Sequence, residues 1–350
     1  MPIPSSLSLN FDAILSTTLF NYSRTLQDNI STANAFLYML MKKTENGYQT
    51  VEDIGQRMAM PLMYELSTTD SYSGYDQLDV TPMDGITTAF FDWRQAATAI
   101  TINGLEEKQN AGEERIIALL ESKTKQAEIG IKQFFNQRLL QGNGGSAITT
   151  AYTSTMNGSV FVDPLPLQVA FDPTTSTAIG NINQSTYSWW RNKTSTSTAT
   201  TFAGVLKELR TARNNASKGP GGPPDFHIAS QAMTELYEAA LAASHRNPSY
   251  QVADIPFDTV AFYGKPLTWD EFVPDAYSGS TTITYGSWYM LNLQYWGVRV
   301  HKATNFAPTP FIKPENQDAK TAHILWLGAV GVSNRRKQAV YGKADTTIAA

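Results

Sequence analysis

The sequence contains no cysteine. That absence removes disulfides, thiolate metal sites and cysteine nucleophiles together, so stability must come from packing and assembly. Long apolar runs are missing as well. No stretch approaches the roughly 20 residues needed to cross a bilayer. Met1 to Asn10 has neither the basic start nor the apolar centre of a secretion signal. Six Asn-x-Ser/Thr sequons, at Asn21, Asn29, Asn157, Asn183, Asn192 and Asn215, therefore read as a by-product of an Asn/Ser/Thr-rich composition. Strong charge of one sign is also lacking. The net charge is −4 over 350 residues, where a dedicated nucleic-acid binder carries a basic surplus. Lysine is absent between Lys43 and Lys108.

Catalytic patterns are missing too. The four histidines, His227, His245, His301 and His323, form no His-Glu-x-x-His or closely spaced metal pattern and read as surface or packing residues. Gly331-Val332-Ser333-Asn334-Arg335 begins like a nucleophile elbow but lacks its last glycine. Gly142 to Ala147 formally matches a dinucleotide-binding pattern. That loop must leave a strand and open a helix, and here it closes one. The Gly219 to Pro224 turn lacks the Gly-Lys-Ser/Thr ending of a phosphate-binding loop. Asp270-Glu271 reads as a solvated turn and Arg335-Arg336-Lys337 as a solvated strand end. No catalytic residues, cofactor site or metal site are expected.

What is present has the composition of a folded chain, 42% hydrophobic and 17% charged. Residues 1–20 read as an extended arm. From Ser23 as cap, Leu26, Ile30, Ala33, Leu37 and Leu40 follow the spacing of one helical face. Residues 48–103 differ in character. Strand-like runs at Met60–Leu66, Thr87–Phe91 and Ala99–Ile102 flank turn signals and many aromatics, predicting a long two-stranded β-ribbon with an elaborate tip. An isolated ribbon is marginal in water and needs another surface. This segment holds eight acids and two bases.

Gly104 to Gln141 has no proline and good helix formers, with apolar groups at Ile116, Leu120, Ala127, Ile131 and Phe134 or Phe135. Gly112 can break its start, and Gly142 to Gly145 ends it. Beyond it, Val160–Val162 and Leu165–Phe171 read as short strands, and Thr194–Thr200 as a loop. Phe202, Val205, Leu206 and Leu209 mark a helix. A strand at Phe226–Ala229 leads through Ser230 as cap into a helix carrying Met233, Leu236, Tyr237, Ala240 and Leu241. Strands follow at Thr259–Tyr263, Pro266–Trp269, Thr281–Tyr285, Trp288–Leu293, Gly297–His301 and Ala322–Val332. The class is α+β.

This order of arm, short helix, ribbon, long charged helix and α+β body resembles the major capsid proteins of tailed bacteriophages, whose fold encapsulins share. Asn183–Asn192, Tyr289–Asn292, Pro314–Ala319 and Ser333–Gln338 look like that family locally. The resemblance implies an N-arm and helix over 1–47, an extended E-loop over 48–103 and a spine helix of the P-domain over 104–150. It implies a mainly A-domain segment over 151–291, with a central sheet flanked by helices, and return strands over 292–350. It further implies a structural protein that is not an enzyme and has no cofactor. Hexamers and pentamers would close into an icosahedral virion capsid around double-stranded DNA, contacted non-specifically. Scaffolding would be separate or absent, with portal and decoration proteins as further partners and assembly in the host cytoplasm. Because the ribbon holds no lysine, a non-covalent shell is expected. The expected contacts between subunits join Tyr64, Tyr72, Tyr75, Phe90, Phe91 and Trp93 of the ribbon to Arg191, Lys193, Arg335, Arg336 and Lys337 of a neighbour. An encapsulin shell is the alternative reading. The outsider is a soluble carbohydrate-binding or hydrolytic protein using its aromatics.

Overall fold

The computed structural model describes residues 35–42, 47–78, 81–109, 119–141, 162–243, 260–273, 277–278, 282–283, 286–315, 317–343 and 348. The expected arm, the Ser23 cap, Gly112, Ile116, the Gly142–Ala147 run, residues 160–161 and His245 lie outside these. The described residues fall into two units. One takes those within Ala96–Phe134 and Thr304–Trp326, the other those within Asn34–Gln95, Phe135–Ala303 and Leu327–Ala350.

The larger unit is organised by a six-stranded sheet in the order Lys193–Ser197, Ala339–Lys343, Ser287–Leu291, Phe226–Ala229, Lys265–Trp269, Val260–Phe262. Phe226–Ala229 and Ser287–Leu291 are buried at every position, His227 and Ser287 included, as in strands covered on both faces. The helices Phe202–Ser217 and Gln231–Ala243 supply one covering layer. Val205, Leu209, Ala212 and Ala216 recur at helical spacing and pack with Met233, Tyr237, Trp288 and Tyr341 in one core. Thr201 caps the first helix by accepting the Gly204 N–H at 3.2 Å. At the second, Ser230 does not act as the expected side-chain cap. Its hydroxyl is buried without a partner among the described residues, while its carbonyl accepts the Thr234 N–H.

A second sheet of this unit pairs Tyr48–Val51 in parallel with Trp296–His301, which runs antiparallel to Ala319–Val332 from Trp296↔Val332 to Val300↔Gly328. In the smaller unit, the early part of that long strand pairs with Ala307–Pro308 through Leu325 and Ile324. Lys123 there reaches the Thr101 carbonyl at 3.2 Å and the Glu106 carboxylate at 2.5 Å. The Lys123 ammonium lowers the pKa of Glu106.

Three expectations change. Thr194–Thr200 is not a loop: Lys193–Ser197 is an edge strand, parallel to Ala339–Lys343. Thr suits a strand, and an edge needs no apolar outer side. Leu165–Phe171 is not a strand but holds one helical turn, Leu165–Gln168, entered from the extended Pro164 with Pro at its start. The run expected at Ala99–Ile102 belongs to Arg94–Asn103, which pairs with Ala319–Val332 rather than with the ribbon. The long helix is described as Gly104–Gln109 and Leu119–Gln141, the latter burying Ala127, Ile131 and Phe135 and exposing Phe134.

Asp270 is likewise no solvated turn, being only 5% exposed. Its carboxylate accepts from Asn136 Nδ2 at 2.9 Å and from the backbone N–H of Phe272 at 3.0 Å and of Phe36. One acid thus joins the helix Ala35–Lys42, the long helix and the end of Lys265–Trp269. Burial raises its pKa despite these donors. A raised acid binds its proton more readily folded than unfolded. Its contribution is therefore present near the ordinary carboxylate pKa of about 3.9 and lost as pH rises through the folded value. Melting curves of the wild type and Asp270→Asn between pH 4 and 8 should accordingly show the variant gaining on the wild type as pH rises. Parallel curves would contradict this.

Candidate subunit interface

The ribbon consists of Met58–Met63 paired antiparallel with Ile86–Phe91, in register from Met58↔Phe91 to Met63↔Ile86. Its two faces are unlike. Met58, Met60, Leu62, Ala89 and Phe91 are buried, whereas Ala59, Pro61, Met63, Ile86 and Phe90 are exposed. The alternation follows from the strand period of two. The buried face lies on bare backbone. A Cβ on Gly331 would stand 2.5 Å from Met58 Cε and 2.8 Å from Met60 Cε. Gly180 (φ +62°) and Asn181 (φ +66°) form the two-residue turn between Ala178–Ile179 and Ile182–Asn183, as a tight hairpin of this type requires. A Cβ on Gly180 would meet Ala89 Cβ at 2.9 Å, and its carbonyl accepts the Phe90 N–H at 3.1 Å.

Beyond the paired stem, Tyr64 stacks on Trp189 with centroids 4.9 Å apart and 18° between planes. Its N–H donates to the Gly85 carbonyl at 2.9 Å and its hydroxyl to the Asp84 carbonyl. These contacts close the root. The tip that follows is bare: Leu66 is 76% and Tyr72 67% exposed, and Tyr75, Leu78 and Met83 are exposed as well. Residues 64–85 contain five acids and no base. Lower on the ribbon, both of its arginines converge on Asp92, Arg57 at 2.9 Å and Arg94 at 3.5 Å.

Among the expected contact residues, Tyr72, Tyr75 and Phe90 are exposed. Phe91 is buried in its own chain, and Tyr64 and Trp93 are half-buried. The basic candidates divide. Arg335 and Lys337 are buried and are not surface partners for a neighbour's ribbon, whereas Arg336 is exposed. The one-turn 3-10 helix Arg335–Lys337 turns its first and last side chains inward. Arg335 donates to four acceptors: Gln168 O at 2.8 Å, Trp190 O at 2.9 Å, Gln184 Oε1 at 2.9 Å and Asn192 Oδ1 at 3.1 Å. Burial pushes its pKa down to about 9, so it stays charged at neutral pH with no carboxylate partner among the described residues. Lys337 Nζ donates to the carbonyls of Ser217, Lys218 and Gly219 at 2.9–3.3 Å, at the negative end of the helix Phe202–Ser217. Arg191 donates to the carbonyls of Gln184 and Ser185.

Arg335 also connects to the ribbon stem. It holds the Trp190 carbonyl, Trp190 Nε1 donates to Ile179 O at 2.9 Å, and the hairpin of Ile179 carries Gly180 against Phe91. Sequence reasoning gave Arg335 a surface role because nothing local distinguishes it from Arg336.

Solved structures supply the comparison. The chain matches the capsid asymmetric unit of cyanophage A-1(L) with a TM-score of 0.62 and 11% identity, covering 95% of this chain and 99% of that one. The fold is that of tailed-phage capsid proteins. Gordonia phage Cozz matches with a TM-score of 0.57 and 12% identity over 99% and 98% of the two chains. The same capsid fold recurs in the encapsulin of Synechococcus elongatus PCC 7942, with a TM-score of 0.55 and 10% identity over 96% and 97%. No protein-family model matches the sequence, and no curated protein does. Among the described residues, no group of three or more His, Asp or Glu converges as a metal site, and no helix is long and apolar enough to cross a membrane.

Proposed function

We propose that this chain is the major capsid protein of a tailed double-stranded DNA virus, assembling as hexamers and pentamers into an icosahedral head. The observation that carries this is a capsid fold spanning nearly the whole chain, combined with a ribbon fastened at its root and bare at its tip. An exposed strip of Met63, Leu66, Tyr72, Tyr75 and Leu78 is the kind of surface that a monomer does not keep and an assembly covers. The partner is an adjacent copy. Scaffolding, portal and decoration proteins complete the set, and the interior contacts DNA through its backbone without sequence preference.

The encapsulin match favours a second reading, a compartment shell around a protein cargo. The contents separate the two. Particles recovered from the native source hold nuclease-resistant double-stranded DNA under the capsid reading. A protein cargo without such DNA would replace it with the encapsulin reading.

The shell is held without covalent links. The ribbon offers no lysine from which an isopeptide bond could form, and the sequence has no cysteine. Boiled in denaturant and run on a gel, assembled particles should give a single-chain band. A ladder of linked multimers would contradict this.

A further inference from the structure

Two oppositely charged stretches of this chain form no ion pair with one another among the described residues. The tip residues 64–85 carry Glu65, Asp70, Asp76, Asp79 and Asp84 with no compensating base. Between residues 173 and 224 the chain carries six bases and one acid. Within that basic stretch, Lys193 and the Lys218 loop both adjoin the turn that carries Arg336.

Hydrogen bonds bring the backbone of these three residues to one place. The Lys193 N–H donates to Gln338 O at 2.9 Å, fixing the first residue of the sheet-edge strand beside the Arg335–Lys337 turn. The buried Lys337 ammonium grips the carbonyls of Ser217, Lys218 and Gly219, tying the Arg336 turn to the Lys218 loop. Arg336 and Lys218 are exposed, and Lys193 is half-buried. None of the three pairs with a carboxylate among the described residues. Burial and the charges of Arg336 and Lys218 lower the pKa of Lys193. The like charges therefore repel one another in the isolated chain, and an incoming anionic surface relieves that repulsion.

We propose that the acidic ribbon tip of one copy docks on the Lys193, Lys218 and Arg336 surface of an adjacent copy. This rests on the shell-protein reading and names the receiving surface. A second copy is the occupant because the tip supplies acids in matching excess. The tip side chains form no ion pair with their own body among the described residues, and Leu66, Tyr72 and Tyr75 beside the acids stand free. Apolar burial then supplies most of the hold, while charge sets approach and register.

The test is a charge swap in the full chain. One variant carries Lys193→Glu, Lys218→Glu and Arg336→Glu; another carries Glu65→Lys, Asp70→Lys, Asp76→Lys and Asp84→Lys; a third combines all seven. Circular dichroism and melting curves verify that each chain is folded. Light scattering and negative-stain microscopy give the protein concentration at which shells form. At low salt, each single-set variant should need at least about tenfold more protein than the wild type, since several pairs act together. The combined variant should return to within about twofold, and the single-set deficits should shrink near 1 M salt, where screening is strong. If the wild type forms shells and the combined variant assembles no better than either parent, the docking proposal is overturned. Reversal that leaves assembly unchanged but abolishes retention of double-stranded DNA would overturn it in favour of a nucleic-acid surface. A wild type that forms no shells would overturn the shell reading beneath it.

Discussion

Arg335→Ala should lower the stability of the unassembled chain by about 3–5 kcal/mol, the cost of breaking a buried charged node. The substitution removes the donor for four acceptors, Gln168 O, Trp190 O, Gln184 Oε1 and Asn192 Oδ1. It also leaves a cavity beside Trp190, over whose ring the guanidinium carbon lies at 5.9 Å. Arg335→Met separates the two effects, because it refills volume without supplying donors. It should remain well below the wild type in denaturant unfolding. A Met variant as stable as the wild type would mean that the hydrogen-bonded node contributes nothing. The loss should also reach the ribbon, since Trp190 and the Ile179–Gly180 hairpin link Arg335 to Phe91.

Replacing residues 67–82 by Asn-Gly should abolish shell formation while leaving the chain folded. The excised residues are exposed wherever they are described. The root closure at Tyr64, Asp84 and Gly85 stays outside the cut. Surface changes of this kind move stability by about 0.5 kcal/mol or less. Tyr72 and Tyr75 leave with the segment, and two aromatic anchors at about 1.5–3 kcal/mol each amount to at least a hundredfold in affinity. Gel filtration and melting curves read the two halves of this expectation separately. Normal shells from the shortened chain would remove the tip from the interface.

Much of the architecture was legible because periodicity carries it. The helix Phe202–Ser217 and the strand Phe226–Ala229 lie where their spacing placed them. Local pattern failed where tertiary partners decide. Lys193–Ser197 is polar enough to look like a loop, yet it is a strand because Ala339–Lys343 offers it a ladder. The four-residue turn Leu165–Gln168 is too short for periodicity to distinguish from a strand. Asp270 is buried by elements far away in sequence, with Asn136 and Phe36 supplying its donors.

The interface was half legible. The ribbon's aromatics and its acid excess stood out, because both are compositional. Which aromatics face outward depends on the register Met58↔Phe91, which turns Phe91 to the body and Phe90 away. The basic triplet could not be divided by sequence alone. Arg335 and Lys337 turn inward because backbone carbonyls await them, leaving Arg336 outside. Lys218 escaped notice because only the grip of Lys337 on Ser217 to Gly219 brings it near Arg336.

The most direct measurement is of the full chain expressed by itself, sized by gel filtration and viewed by negative-stain microscopy. Rings or closed shells are expected. A compact monomer that persists across protein and salt concentration, with the ribbon tip also covered by its own body, would contradict the account.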